Sequence, residues 1–368
     1  MNKIKVMSVF GTRPEAIKMC PLVKVLQKTE GIESIVCVTA QHRQMLDQVL
    51  TVFNIKPDYD LDLMKAGQTL STITAGVIEG IGNVIDKCHP DIVLVHGDTT
   101  TSFAAALGAF YKQVKVGHVE AGLRTYNKYS PFPEEMNRVL TSRIADIHFA
   151  PTQRNADALV KEGIDKNIFV TGNTVIDAFA TTVRKGYVYK NSILKTLNYS
   201  GRMILLTAHR RENLGEPLEN ICNAVLELCR RHKDVHFVYP VHLNPQVQNT
   251  VNKMLSDNPQ ISLIEPVDVE DMHNLMAECY MVMTDSGGLQ EEAPHLGKPV
   301  VVLRTETERP EAVAAGTAVV VGIATNDIIF AADSLLTDAA VYDKMAKAQN
   351  PYGDGHASEK IVKAILEV

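Results

Sequence analysis

Short runs of β-branched and apolar residues alternate with longer amphipathic stretches along almost the whole chain, and this alternation restricts the fold more than any other feature. Ile4 to Phe10, Ile35 to Thr39, Ile92 to His96, Val114 to Val119, His148 to Ala150 and Ile168 to Val170 read as strands, with helical periodicity between them. Strands that alternate with helices in this way build βαβ units and parallel sheets. The series pauses over Asp177 to Arg202, a polar, aromatic and aperiodic stretch that reads as a linker. It resumes at Met203 to Thr207 and continues through His236 to Val241, Ile261 to Ile264, Met281 to Thr284, Val300 to Leu303 and Ala318 to Val321. At about 150 residues per domain, 368 residues make two parallel-sheet domains of similar size, each large enough to bury a core. Near the end, NPYGDGHASEK breaks one helix and starts another, IVKAILEV, which is expected to cross back to the first domain.

Several function classes fall away on composition. A net charge of −6 provides no field for a polyanion, so nucleic acid is not an expected partner. No uncharged apolar run approaches the roughly 18 residues of a membrane helix, and the apolar start is interrupted by Gly11 and Arg13, so a cytoplasmic location and no membrane partner are expected. The six cysteines (20, 37, 88, 222, 229 and 279) show no zinc spacing and read as buried thiols.

In open parallel sheets, ligands bind beyond the carboxyl ends of strands. The segments in that position are GTRPE, AQHRQ, HGDTT and VEAGLR in the first half, and AHRREN, PVHLNP, DSGGLQEE and RTETERPE in the second. Such a gathering of Arg, His, Asp and Glu indicates a polar ligand in a cleft. DSGGLQEE, between a strand and a helix, suits a diphosphate at a helix N-terminus, with Glu292 placed to accept ribose hydroxyls. Neither G-x-G-x-x-G nor a Walker loop is present, so proton transfer is the expected chemistry rather than hydride transfer or ATP hydrolysis. Asp98, Glu120 and Glu134 in the first half and His209 in the second are candidate acids and bases. Each also has a plainer reading: Glu134 as a helix-start carboxylate, His209 as a strand-end histidine, and Thr12 with Glu15 as a capping box. A metal site at His96, Asp98 and His118 is disfavoured because adjacent strand residues point to opposite faces.

The motifs FGTRPEAIK, TAQHRQMLDQ, VHGDTTT, GHVEAGLRT, SPFPEE, TAHRREN, PVHLNP, TDSGGLQEEAP, ERPE and NPYGDG, standing in this order over nearly the whole chain, resemble those of the bacterial non-hydrolysing UDP-N-acetylglucosamine 2-epimerase family. The resemblance implies an α/β glycosyltransferase-B-like (GT-B) fold with two Rossmann-like domains and the active site in the cleft between them. The domains are expected at 1–175, joined by the C-terminal helix at about 354–368, and at 176–353, the latter holding UDP. It further implies an isomerase that interconverts UDP-GlcNAc and UDP-ManNAc without NAD, metal or other cofactor. UDP is eliminated to give 2-acetamidoglucal and added back with C2 inverted, supplying ManNAc for cell-surface polysaccharide. By similarity, Asp98, Glu120, Glu134 and His209 are catalytic, and Arg13, Lys18, His242, Ser286, Gly287, Gly288, Glu292 and Arg309 bind substrate. A second, allosteric UDP-GlcNAc site is implied at Gln41, Gln44, Gln68, Arg210 and His242, and a homodimer is implied as the assembly. Where relatives carry an Arg before Gln-Thr-Leu this chain has Gly67, which predicts weakened or altered activation. The alternatives are a hydrolysing 2-epimerase that releases ManNAc and UDP, a sugar transferase on the same fold, and a non-catalytic sugar-nucleotide sensor.

Overall fold

The computed structural model describes residues 3–39, 43–63, 67–197 and 201–368, with the side chains of residues 43 and 44 outside the description. The chain divides into two compact units, Met1–Thr181 with Tyr352–Val368, and Thr182–Pro351.

The first unit runs β1 (Ile4–Phe10), α1 (Arg13–Lys28), β2 (Ile32–Val38), α2 (Arg43–Val52), β3 (Tyr59–Asp60), α3 (Leu70–Cys88), β4 (Ile92–His96), α4 (Thr100–Tyr111), β5 (Lys115–Val119), α5 (Glu134–Ile144), β6 (Ile147–Ala150), α6 (Gln153–Lys161), β7 (Ile168–Val170) and α7 (Thr174–Thr182). Its strands form one sheet in the order β3-β2-β1-β4-β5-β6-β7, and every pairing is parallel. Helices cover both faces, which is why the strands are apolar on both sides. Val6 and Phe10 of β1 share a core with α1 and α2, whereas Met7 and Val9 face the core under α3 and α4. The strand order reverses between β1 and β4, the point at which the loops of open α/β sheets hold ligand-binding residues.

The second unit runs β8 (Arg202–Thr207), α8 (Glu216–Arg231), β9 (Val235–Pro240), α9 (Pro245–Leu255), β10 (Ile261–Ile264), α10 (Val269–Glu278), β11 (Met281–Thr284), α11 (Gly287–Glu292), β12 (Val300–Val302), α12 (Pro310–Ala315), β13 (Ala318–Val320), α13 (Thr325–Thr337) and α14 (Ala339–Ala346). Its parallel sheet has the order β10-β9-β8-β11-β12-β13, with the reversal between β8 and β11.

The final helix, α15 (Ala357–Glu367), belongs to the first unit, where Ile361, Val362, Ala364 and Ile365 enter the α1 core. Asp177 of α7 fixes its start by accepting the backbone N–H groups of Ala357 (3.2 Å) and Ser358 (2.7 Å). The aperiodic stretch after α7 docks on α10. Asp271 accepts the Tyr187 hydroxyl (2.8 Å) and the N–H groups of Lys190 and Asn191 (2.9 Å each), while the Tyr189 hydroxyl reaches Glu278 (2.8 Å). All six cysteines are buried and free. Among the described residues no helix is long and apolar enough to cross a membrane.

Candidate active site

At the reversal point of the first unit, one buried carboxylate ties the two loops together. Glu15 accepts the N–H groups of Gly11 (3.0 Å) and Thr12 (2.7 Å) on one oxygen and the hydroxyls of Thr99 (2.6 Å) and Ser102 (2.9 Å) on the other. The Thr12/Glu15 capping box is therefore real, and it also joins the β1–α1 loop to the start of α4. Gly11 is required there, since a Cβ would lie 1.9 Å from the Thr39 hydroxyl oxygen. His118 is held neutral by burial, with a pKa pushed down to about 3, and its Nε2–H donates to the carbonyl of Gly97 (2.8 Å), fixing the residue before Asp98.

The three first-half carboxylates come together with three different sets of partners. Asp98 accepts a hydrogen bond from Arg138 Nη2 at 2.5 Å, and its carbonyl accepts from Asn137 Nδ2 at 3.0 Å. Burial raises the Asp98 pKa; Arg138 opposes the rise, and nearby Glu120 and Glu134 add to it. Glu120 sits in left-handed backbone, φ 63°, an unfavourable conformation for a side chain of this kind. Its Oε2 lies 2.5 Å from Lys18 Nζ and 2.8 Å from His96 Nε2. Burial alone would raise its pKa, but the Lys18 and His96 charges hold it well below the carboxylate range. Glu134 opens α5 half-buried and makes no hydrogen bond or ion pair through its carboxylate among the described residues. Its neighbour Glu135 turns inward, 3.5 Å from Arg138 Nη1, and accepts the N–H groups of Thr125 and Tyr126.

In the second unit the organising group is Asp285, fully buried at the end of β11. One of its oxygens accepts the N–H groups of His209 (2.7 Å) and Arg210 (2.8 Å) and the Asn213 amide (2.9 Å), and the other lies 3.2 Å from His209 Nδ1. Burial pushes the Asp285 pKa up, yet the His209 hydrogen bond and charge carry it below its ordinary value. Its carboxylate thus orients the His209 ring with Nε2 on the far side, and the ring stacks on His242 at 5.4 Å between centroids. Ser286 precedes α11 without capping it by its side chain, and its own N–H donates to the Thr284 hydroxyl at 2.9 Å. An added Cβ on Gly287 would come 3.7 Å from Arg210 Nη2 and 3.9 Å from the Arg309 guanidinium, and one on Gly288 would come 3.0 Å from Glu292 Oε1. Arg309 is anchored by donating to Glu291.

The structure gives several named residues other partners than the sequence suggests. Lys18, expected to bind substrate, is held on Glu120. Arg13 begins α1 and is half-buried. Gln41 and the side chain of Gln44 lie outside the described residues, the Gln68 amide donates to the Leu63 carbonyl, and Gly67 is left-handed at φ 72°. Arg210 lies 3.9 Å from Glu308. Among the described residues no group of three or more His, Cys, Asp or Glu is arranged to hold a metal ion. Sequence reasoning passed over Arg138 and Asp285 as site residues, and considered His96 only for a metal site that it disfavoured. Asp285 had the clearest signal, an acid at the end of an apolar strand immediately before the glycine turn.

Two parallel α/β sheets of these orders, with polar loops gathered at their reversal points, define a protein of GT-B-like fold. The glycotransferase of kitacinnamycin shares that fold at a TM-score of 0.64 and 12% identity, over 99% of each chain. The chain belongs to the UDP-N-acetylglucosamine 2-epimerase family, whose model matches residues 24–366, and it is an epimerase, hence an isomerase. The UDP-N-acetylglucosamine 2-epimerase of Bacillus subtilis is 57% identical over 367 residues, covering 100% of this chain and 96% of that one. The structure of the Neisseria meningitidis UDP-GlcNAc 2-epimerase, bound to UDP-GlcNAc, superposes with a TM-score of 0.89 at 50% identity and covers 99% of this chain and 100% of that one.

Proposed function

We propose that the protein interconverts UDP-GlcNAc and UDP-ManNAc through elimination and re-addition of UDP. A carboxylate takes the C2 proton, the C–H electrons form a C1–C2 double bond, and the C1–O bond breaks with its pair leaving on UDP. The resulting 2-acetamidoglucal then takes UDP back at C1 and a proton at C2 on the opposite face. The pairing of Asp98 with Glu120 carries this reading. Two neighbouring carboxylates with pKa values pushed in opposite directions are suited to different steps of a proton transfer. Glu120, held anionic by Lys18 and His96, is a poor proton carrier and a good electrostatic brace, which leaves proton exchange at C2 to Asp98 and Glu134. His209, oriented by Asp285, assists the departing diphosphate, while the α11 start, Arg309 and Arg13 meet the negative charge that grows on it. Glu292 accepts the ribose hydroxyls, and the reaction draws on no bound cofactor. We place the protein in the cytoplasm as a homodimer that supplies ManNAc for cell-surface polysaccharide.

Chromatography of the products from UDP-GlcNAc tests the assignment. UDP-ManNAc formed with the nucleotide retained is the expected result; free ManNAc with UDP marks a hydrolysing enzyme, and unchanged substrate marks a sensor or transferase. We further propose that UDP-GlcNAc activates the enzyme at Gln41, Gln44, Gln68, Arg210 and His242, and that Gly67 weakens this. Initial rates from UDP-ManNAc should then depend little on added UDP-GlcNAc, and a strict requirement would refute the role given to Gly67.

A further inference from the structure

We propose that His273 is a positioning residue that sets the preference for ribose over deoxyribose nucleotides, an inference that rests on the reading of Glu292 as the ribose carboxylate. His273 lies on α10, outside every motif that identifies the family, and its ring is buried with contacts at both nitrogens. Nε2 is 3.3 Å from Glu292 Oε2, and Nδ1 is 2.7 Å from the Thr182 hydroxyl. A carboxylate can only accept, so Nε2 carries the proton; in the neutral ring Nδ1 then accepts from the Thr182 O–H. Thr182 is in turn fixed through its carbonyl, which accepts the Asn274 amide at 2.7 Å, and Asn274 also accepts the Arg184 N–H at 3.0 Å.

The consequence is a directed relay, Thr182 to His273 to Glu292, that begins on the first residue of the second unit and ends on a carboxylate at the last position of α11. Its other oxygen, Oε1, lies beside Gly288, 3.0 Å from the position that a Cβ on that residue would take. The imidazole beside one oxygen sets the orientation of the carboxylate, and the missing side chain of Gly288 leaves room for the other oxygen. A pair of vicinal hydroxyls needs both acceptor directions fixed, whereas a deoxyribose needs one, so the loss of this restraint should weaken ribonucleotide binding more than deoxyribonucleotide binding.

The test is the ratio of dissociation constants for dUDP and UDP, measured calorimetrically on the full-length enzyme, together with kcat and KM for UDP-GlcNAc. In the wild type the ratio should be about tenfold or more, the size expected of a charge-assisted hydrogen bond. His273→Leu should reduce it to about twofold and raise KM several-fold with a smaller change in kcat. His273→Gln places an amide N–H near the Nε2 position and should restore most of the ratio, whereas His273→Asn, which reaches only toward Thr182, should not. In a Glu292→Gln background the His273→Leu change should add nothing further. A purely structural role predicts that all three His273 variants bind UDP and dUDP in the wild-type ratio, and that result overturns the inference while leaving Glu292 in place. If Glu292→Gln itself leaves the ratio and KM unchanged, the reading of Glu292 fails and the inference fails with it. Should His273→Leu not fold, the contrast between the Gln and Asn variants decides.

Discussion

Replacing Lys18 by Met removes the ammonium that lies 2.5 Å from Glu120 and leaves a carboxylate only 11% exposed with His96 as its remaining charge partner. Breaking one side of a buried pair costs about 3–5 kcal/mol, because the surviving charge is stranded. Glu120 can avoid part of that cost by taking a proton. At pH 7, protonating a carboxyl group of ordinary pKa 4.5 requires about 3.4 kcal/mol, at about 1.4 kcal/mol per pH unit. The expected destabilisation at pH 7 is therefore about 3 kcal/mol, and at pH 4.5, where protonation is nearly free, about 1 kcal/mol. The sign follows from the direction of the shift. Wild-type Glu120 titrates well below 4.5, so its stabilising contribution is present above the unfolded pKa and is lost only as the pH falls through the lower, folded value. The gap between the two proteins thus closes from the variant's side. With two folding units in the chain, a single unfolding midpoint would mix their stabilities, so the assay is hydrogen exchange of β4 and β5 amides. Protection should fall about 100-fold at pH 7 and less than tenfold at pH 4.5. An equal loss at both pH values, or no loss at pH 7, would refute the assignment of Glu120 as a carboxylate that Lys18 keeps ionised.

Two other substitutions separate binding from stability. Gly288→Ala should leave thermal stability unchanged or slightly higher, since Ala is favoured over Gly in a helix by about 1 kcal/mol, while its methyl displaces Glu292 and weakens UDP binding about fivefold or more; unaltered affinity by calorimetry would contradict the tight seat of Glu292. Asp177→Ala strands the N–H groups of Ala357 and Ser358 and should destabilise the docking of α15 by about 1–3 kcal/mol, seen as faster proteolysis within 357–367; wild-type proteolysis rates would show that apolar packing alone holds the helix.

Much of the sheet architecture is written locally, because buried parallel strands are apolar runs that stand out from their surroundings. Ile4–Phe10, Ile92–His96, Ile168–Val170, Ile261–Ile264 and Met281–Thr284 are strands over the residues that the pattern indicates, and the other predicted strands shift by one to three residues at one or both ends. The exception is β3, two residues with no apolar run to announce them, which exists because Cys37 and Val38 offer an unfilled edge to Tyr59 and Asp60. The site is legible as a set of loops but not as a set of partners. Lys18 and Glu120 are 102 residues apart, and nothing near Lys18 indicates that its charge is spent on a protein carboxylate. Glu134 and Glu135 are adjacent and alike in sequence; only the direction of the α5 start separates an open carboxylate from one that secures Thr125 and Tyr126. Asp285 shows the same limit, since its role lies in accepting backbone N–H groups from a loop more than seventy residues earlier.

The central claim is that a proton leaves and returns at C2 while UDP is detached, and proton NMR of the enzyme with UDP-GlcNAc in heavy water tests it most directly. The account predicts UDP-ManNAc carrying deuterium at C2, together with deuterium entering the recovered UDP-GlcNAc. Epimerised product that keeps its original C2 hydrogen would contradict it.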